Sequence, residues 1–151
     1  MRRVSSLLVL AALPPLAACA ALRGGSHVPA ASLYARLGGY EALAAVTDDI
    51  LAREVADPVV APFFKGLEVR DVQRIRQHLL DQLCAASGGP CFYPGKDMKA
   101  AHAEMEITDA AWNAFTGHTA ASLDKFRVGD RERNEFVAVV NGLKGDIVCK
   151  P

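Results

Sequence analysis

Gly88-Gly89-Pro90-Cys91-Phe92-Tyr93-Pro94-Gly95-Lys96-Asp97-Met98-Lys99-Ala100-Ala101-His102 is the stretch on which the reading of this chain turns. Gly88-Gly89-Pro90 stops the helix that precedes it, because glycine and proline both end a run of intrahelical hydrogen bonds. A short apolar run then carries one histidine. Met98 lies four residues before His102 and Met105 three after it, spacings that place all three on one helical face. A histidine held this way is either a hydrogen-bonded core residue or an inward-pointing ligand. Periodicity alone favours the first.

Working outward from this loop, the pattern is helical wherever it is periodic. Ser32 can cap a short helix that stops at Gly38-Gly39, and a second runs from about Glu41 to Val55, ending before Asp57-Pro58. Val59 to Phe64 is long enough for a turn or two. From about Arg70 to Ala86, apolar residues at Val72, Ile75, Leu79 and Leu83 keep helical spacing, with His78 on the same inward stripe. Thr108-Asp109 begins another helix, with Trp112, Phe115, Thr119, Leu123 and Phe126 near one face. Asp130 is expected to cap the last, where Phe136, Val139, Val140, Leu143 and Ile147 recur. The fold class is all-α, one domain over 32–151, in a chain of 151 residues.

The first residues do not belong to that domain. Met1-Arg2-Arg3 precedes a continuous apolar run from Leu7 to Leu13, too short for a bilayer span and interrupted by Pro14-Pro15, so residues 1–18 read as a signal peptide. Leu16-Ala17-Ala18-Cys19 resembles the lipobox of bacterial lipoproteins, with Cys19 as the lipidated residue; an ordinary signal peptide with an incidental cysteine is the alternative. Ala20 after the cysteine implies, by that resemblance, an outer-membrane protein facing the periplasm. Residues 19–31 are then the lipidated cysteine and a flexible tether. Without residues 1–18 the balance is 15 basic against 17 acidic residues, a net −2, and no basic patch argues for nucleic acid. Export permits a disulfide. Cys84 and Cys91 close the shortest loop of the three pairings left, and two free thiols are the alternative. Cys149 has no evident partner.

His78 and His102 lie on the apolar faces of separate helical segments and can close on one metal centre. Zinc would want three or four close-spaced Cys, His or carboxylate ligands, and a di-iron bundle Glu-x-x-His pairs; the residues three before the two histidines are Ile75 and Lys99. No CxxC, CxxCH, GxSxG or phosphate-cradling glycine loop is present. Haem needs few protein ligands and a mainly apolar pocket. His27 falls in the tether, and His118, one residue before the inward Thr119, reads as structural.

The domain from about Leu33 to Val148 resembles a group I truncated haemoglobin. Leu33-Tyr34-Ala35-Arg36-Leu37-Gly38-Gly39, Ala56-Asp57-Pro58 to Pro62-Phe63-Phe64, Gly88-Gly89-Pro90, Tyr93 to His102 with its GxxMxxxH spacing, and Ile107-Thr108 carry the likeness in order. It implies a truncated globin fold, a two-over-two helical sandwich around a non-covalent b-type haem. It implies His102 as proximal iron ligand and Phe64, or its neighbour Phe63, against the haem face. Met98 and Met105 would be pocket wall. Lys96 and Lys99 would reach the propionates or remain solvated. Leu51, Ile75 and Leu79 stand where many members carry a tyrosine and glutamines, implying a distal side without polar groups. His78 matches a position that supplies a sixth iron ligand in some cyanobacterial members; facing the propionates or solvent is the alternative.

The function this implies is binding of small diatomic ligands (O2, NO, CO) or redox cycling with an electron-transfer partner. Nitric oxide chemistry or electron exchange suits the distal side better than oxygen transport. A globin-type sensor or interaction module, and a haem-free structural envelope lipoprotein, are the alternatives.

Overall fold

The computed structural model describes residues 32–150; the expected signal peptide, Cys19 and the tether lie outside the described residues. Ser32 caps α1 (Leu33–Arg36), its hydroxyl accepting from the Ala35 amide at 3.2 Å. Gly38 and Gly39, at φ +98° and +79°, then turn the chain into α2 (Gly39–Ala56), a bend that side chains with a Cβ resist. Leu43, Val46, Ile50 and Leu51 form the buried stripe of α2. The helix ends before Pro58, where Asp57 Oδ1 accepts from the Val59 amide at 2.7 Å. The short Val59–Phe64 segment contains a 3₁₀ turn at Ala61–Phe64.

Helix α3 (Val69–Ala86) starts where the Asp71 carboxylate accepts from the Glu68 amide at 3.2 Å. It ends in a left-handed turn. Gly88, at φ +81°, donates to the Ala85 carbonyl at 3.1 Å, and Gly89 donates to the Cys84 carbonyl at 2.8 Å. This pair of bonds satisfies carbonyls the helix would otherwise leave open. The glycine bracket of the sequence is therefore a helix stop. It is also an anchor, since the Tyr34 amide donates to the Ser87 carbonyl at 2.8 Å and ties α1 to the end of α3.

After the loop, Asp97 caps the five-residue α4 (Met98–His102). Thr108 caps α5 (Asp109–Lys125), its hydroxyl accepting from Ala111 at 3.2 Å. The expected single last helix is two: α6 (Asp130–Asn141) and α7 (Lys144–Ile147), divided at Gly142-Leu143. Gly129, not Asp130, occupies the cap position, and Asp130 sits in the first turn, where its charge complements the helix N-terminus. Phe126, expected on the inward face of α5, is 42% exposed and lies under the Lys125 ammonium at the helix end.

Helix α2 packs on both α3 and α5, and α5 packs on α6. Phe136, Leu43, Ile50, Leu80 and Leu123 are fully buried where these helices meet, each contributing about 1.5–3 kcal/mol of transfer free energy. The C-terminal turn holds α4 from outside. Helix α7 packs on it, and the amides of Cys149 and Lys150 both donate to the Ile107 carbonyl, at 3.0 and 3.1 Å.

Candidate functional site

The helices leave a cavity of about 380 Å³ between α2, α3, α4, α5 and the loop before α4, within the size range of small-molecule and cofactor sites. Its wall is predominantly apolar. Leu51 comes from α2, Phe63 and Phe64 from the 3₁₀ turn, Ile75 and Leu79 from α3, Met98 and Met105 from α4 and its end, and Trp112 and Phe115 from α5. His78 and His102 are both on this wall. Nine of the residues expected at the pocket thus meet at one place: Leu51, Phe63, Phe64, Ile75, His78, Leu79, Met98, His102 and Met105. Lys96 and Lys99 do not; both are exposed outside the cavity lining.

His102 closes α4, and its Nδ1 lies 2.8 Å from the Met98 carbonyl one turn back. A carbonyl only accepts, so Nδ1 carries the proton and donates it. Nε2 is left with its lone pair, the form in which imidazole binds a metal. His78, half-buried on α3, meets the Tyr93 ring edge-on at 5.8 Å between centroids. Tyr93 donates its hydroxyl to the Lys96 carbonyl at 2.8 Å. Burial first, and the nearby Asp97 charge second, push its phenol above the ordinary value. A Cβ on Gly95 would fall 2.2 Å from the Tyr93 oxygen, so glycine there is what lets this ring fold back over its own loop.

Cys84 and Cys91 are joined by a disulfide that ties α3 to the loop leading to α4. Cys149 is an exposed free thiol, 3.7 Å from the His102 carbonyl. Among the described residues no group of three or more His, Cys, Asp or Glu side chains is placed to hold a metal ion on its own.

Positions 51, 75 and 79 are apolar, but Glu54, Gln82 and Tyr93 also line the cavity. Glu54 is 3% exposed, and its carboxylate meets His118 Nδ1 at 2.7 Å. His118 Nε2 meets Asp57 at 3.1 Å. Burial pushes the Glu54 carboxyl up; the bond to His118 opposes that shift without cancelling it. His118, read as structural, thus joins α2 to α5 and stands behind the cavity wall. Glu54 escaped notice because a single carboxylate gives no pattern by itself. The signal was its spacing of three from Leu51, which sets both on one face.

The bacterial-like globin family model matches residues 32–149. The chain belongs to that family, and within it to the group of truncated hemoglobins with the two-over-two helical arrangement seen here. It is 34% identical over 122 residues to a group 1 truncated hemoglobin of Chlamydomonas moewusii, covering 80% of this chain and 70% of that one. It is 32% identical over 119 residues to one of Tetrahymena pyriformis, covering 79% and 96%. The crystal structure of the truncated hemoglobin from Tetrahymena pyriformis in its Fe(III) form superposes with a TM-score of 0.73 at 30% identity, covering 78% of this chain and 97% of that one. The 2/2 hemoglobin from Synechococcus, solved in the cyanomet state with covalently attached heme, gives 0.71 at 27% identity, covering 78% and 98%.

Proposed function

We propose that this chain binds haem in the cavity through His102 and acts on small diatomic ligands or cycles iron between oxidation states. The observation that carries the reading is His102 itself. Its Nδ1–H is committed to the Met98 carbonyl, and the residue lines a predominantly apolar cavity. The donor set fits haem, which brings four ligands of its own and asks the protein for one or two. Bound there, haem would supply an iron able to take a ligand or an electron.

The protein's part is to hold and surround it. Met98 fixes the tautomer of His102, Phe63 and Phe64 supply flat apolar surface, and Leu51, Ile75 and Leu79 keep water scarce. A b-type haem is favoured because no CxxCH is present to attach it. His78 serves as a sixth ligand when no external one is bound, a reading supported by its place on the same wall. Gln82, also on the cavity wall, offers a hydrogen bond to a bound ligand, so oxygen binding stands beside nitric oxide chemistry and electron exchange.

The chain works at the outer membrane facing the periplasm, held by lipid on Cys19. This rests on the sequence before residue 32 and on the Cys84–Cys91 bond, which suits an oxidising compartment. Two measurements test these readings. Haem stoichiometry should fall to near zero in His102→Ala, and membrane fractionation should find the full chain in the envelope but Cys19→Ser in the soluble fraction. A haem-replete His102→Ala, or a Cys19→Ser that stays with the membrane, would sink the corresponding part.

A further inference from the structure

We propose that Glu54, His118 and Asp57 form a proton path between the cavity and solvent, with Glu54 as the group that takes up a proton when haem in the cavity is reduced. The inference rests on the reading of the cavity as a haem site. The three side chains are linked in series, Glu54 to His118 Nδ1 at 2.7 Å and His118 Nε2 to Asp57 at 3.1 Å. Exposure rises along the chain, with the Glu54 side chain at 4%, His118 at 20% and Asp57 at 22%. One end lines the cavity and the other meets water.

A pair serving only to fasten α2 to α5 would not need a carboxylate in the wall of an apolar cavity. Burying a charge there is costly, and a hydrophobic residue of like volume fastens helices at least as well. An imidazole held between two carboxylates can pass a proton from one of its nitrogens to the other side of the ring. Asp57 takes a proton from water and gives it to Nε2. The Nδ1–H bond breaks and an O–H bond forms on Glu54, leaving the imidazole neutral with its proton on Nε2. Exchange with water at the partly exposed ring restores the starting tautomer.

The reason to draw a proton in is charge. An electron delivered to haem by an outside one-electron donor adds negative charge to the cavity, and a proton on Glu54 cancels it. The Glu54 carboxyl already sits above its ordinary value through burial, and negative charge added to the cavity raises it further. The titratable groups facing it are His118 from α5 and Asp57 from the turn after α2. Elsewhere on the cavity wall stand His78 from α3, Tyr93 from the loop and His102 from α4.

Electrochemical titration of the haem-loaded full chain tests this. The midpoint potential of the wild type should fall with rising pH, and the fall should vanish in Glu54→Gln. Asp57→Asn keeps the bond from Asp57 to the Val59 amide. It should keep the potential pH-dependent, moved to lower pH because the Asp57 charge no longer raises Glu54, while slowing proton uptake after rapid reduction, read with a pH dye, by roughly a hundredfold. Asp124→Asn, at an exposed pair with Arg133, should change neither. A flat potential in the wild type, or a slope that survives in Glu54→Gln, overturns the proposal. So does unchanged uptake in Asp57→Asn. If the chain takes up no haem, the haem reading fails by itself. The infrared carboxyl band of Glu54 in the haem-free chain then decides proton exchange: a protonated band that titrates above the ordinary carboxylate range and is lost in Glu54→Gln is expected, and a Glu54 ionised throughout overturns it.

Discussion

Replacing Gly89 by alanine should damage this fold through crowding against atoms that cannot move away. The backbone of Gly89 lies outside the left-handed region, so alanine is conformationally allowed and the effect is purely one of space. The added Cβ would stand 2.6 Å from Cys84 Sγ, 2.6 Å from Tyr34 Cδ2 and 2.8 Å from the Cys84 carbonyl oxygen. None of these can retreat freely. The sulfur is bonded to Cys91, the carbonyl accepts from the Gly89 amide itself, and the Tyr34 backbone is tethered by the hydrogen bond its amide donates to the Ser87 carbonyl. Overpacking of this kind costs about 1–3 kcal/mol. At roughly 4 °C per kcal/mol for a domain of this size, the melting temperature should drop by about 4–12 °C. Circular dichroism melts of the two proteins, with matched urea titrations, read the shift. A Gly89→Ala variant melting within about a degree of the wild type would show that the turn is loose and the close packing at the end of α3 is not real.

Gly117 gives the opposite expectation: it is inside α5 with no atom within 4 Å of its missing Cβ, so Gly117→Ala should stabilise by about 0.5–1 kcal/mol in the same melts. Reducing the Cys84–Cys91 bond frees a loop of sequence separation 7 and should lower stability by about 2.5 kcal/mol, seen as an earlier urea midpoint with reductant, and absent in a Cys84→Ser/Cys91→Ser variant. Asp49 is held below the usual carboxylate range first by Lys125, with Arg53 and Ser122 adding to it against burial. Its folded value is the depressed one, so its contribution is present above about pH 4 and fades as pH falls below that; Asp49→Asn should therefore be less stable at neutral pH, with the gap to wild type closing in acid.

The helices were legible because their apolar residues recur at helical intervals, and the stops because glycine and proline act locally. Ser32, Thr108 and Gly88 all do in the structure what their residue types suggest. The division of the last helix was not legible. Leu143 and Ile147 continue the spacing of Phe136 and Val140, so periodicity sees one helix where Gly142 allows two. The gathering of His78, His102 and the apolar residues on one wall could be anticipated through the glycine motifs and the spacing around Met98. Glu54 and His118 could not, since they are 64 residues apart and only the crossing of α2 and α5 brings them together. Lys96 and Lys99 are exposed, which agrees with the solvated alternative and leaves the propionate reading open.

The central claim is that His102 offers one nitrogen to haem iron in this cavity. Absorption spectra of the haem-reconstituted chain, oxidised and reduced, beside those of His102→Ala test it most directly. The account predicts one haem per chain with a histidine-ligated spectrum that is low-spin while His78 is present, and loss of haem in His102→Ala. A wild-type chain that leaves haem in solution, or a His102→Ala spectrum matching the wild type, would contradict it.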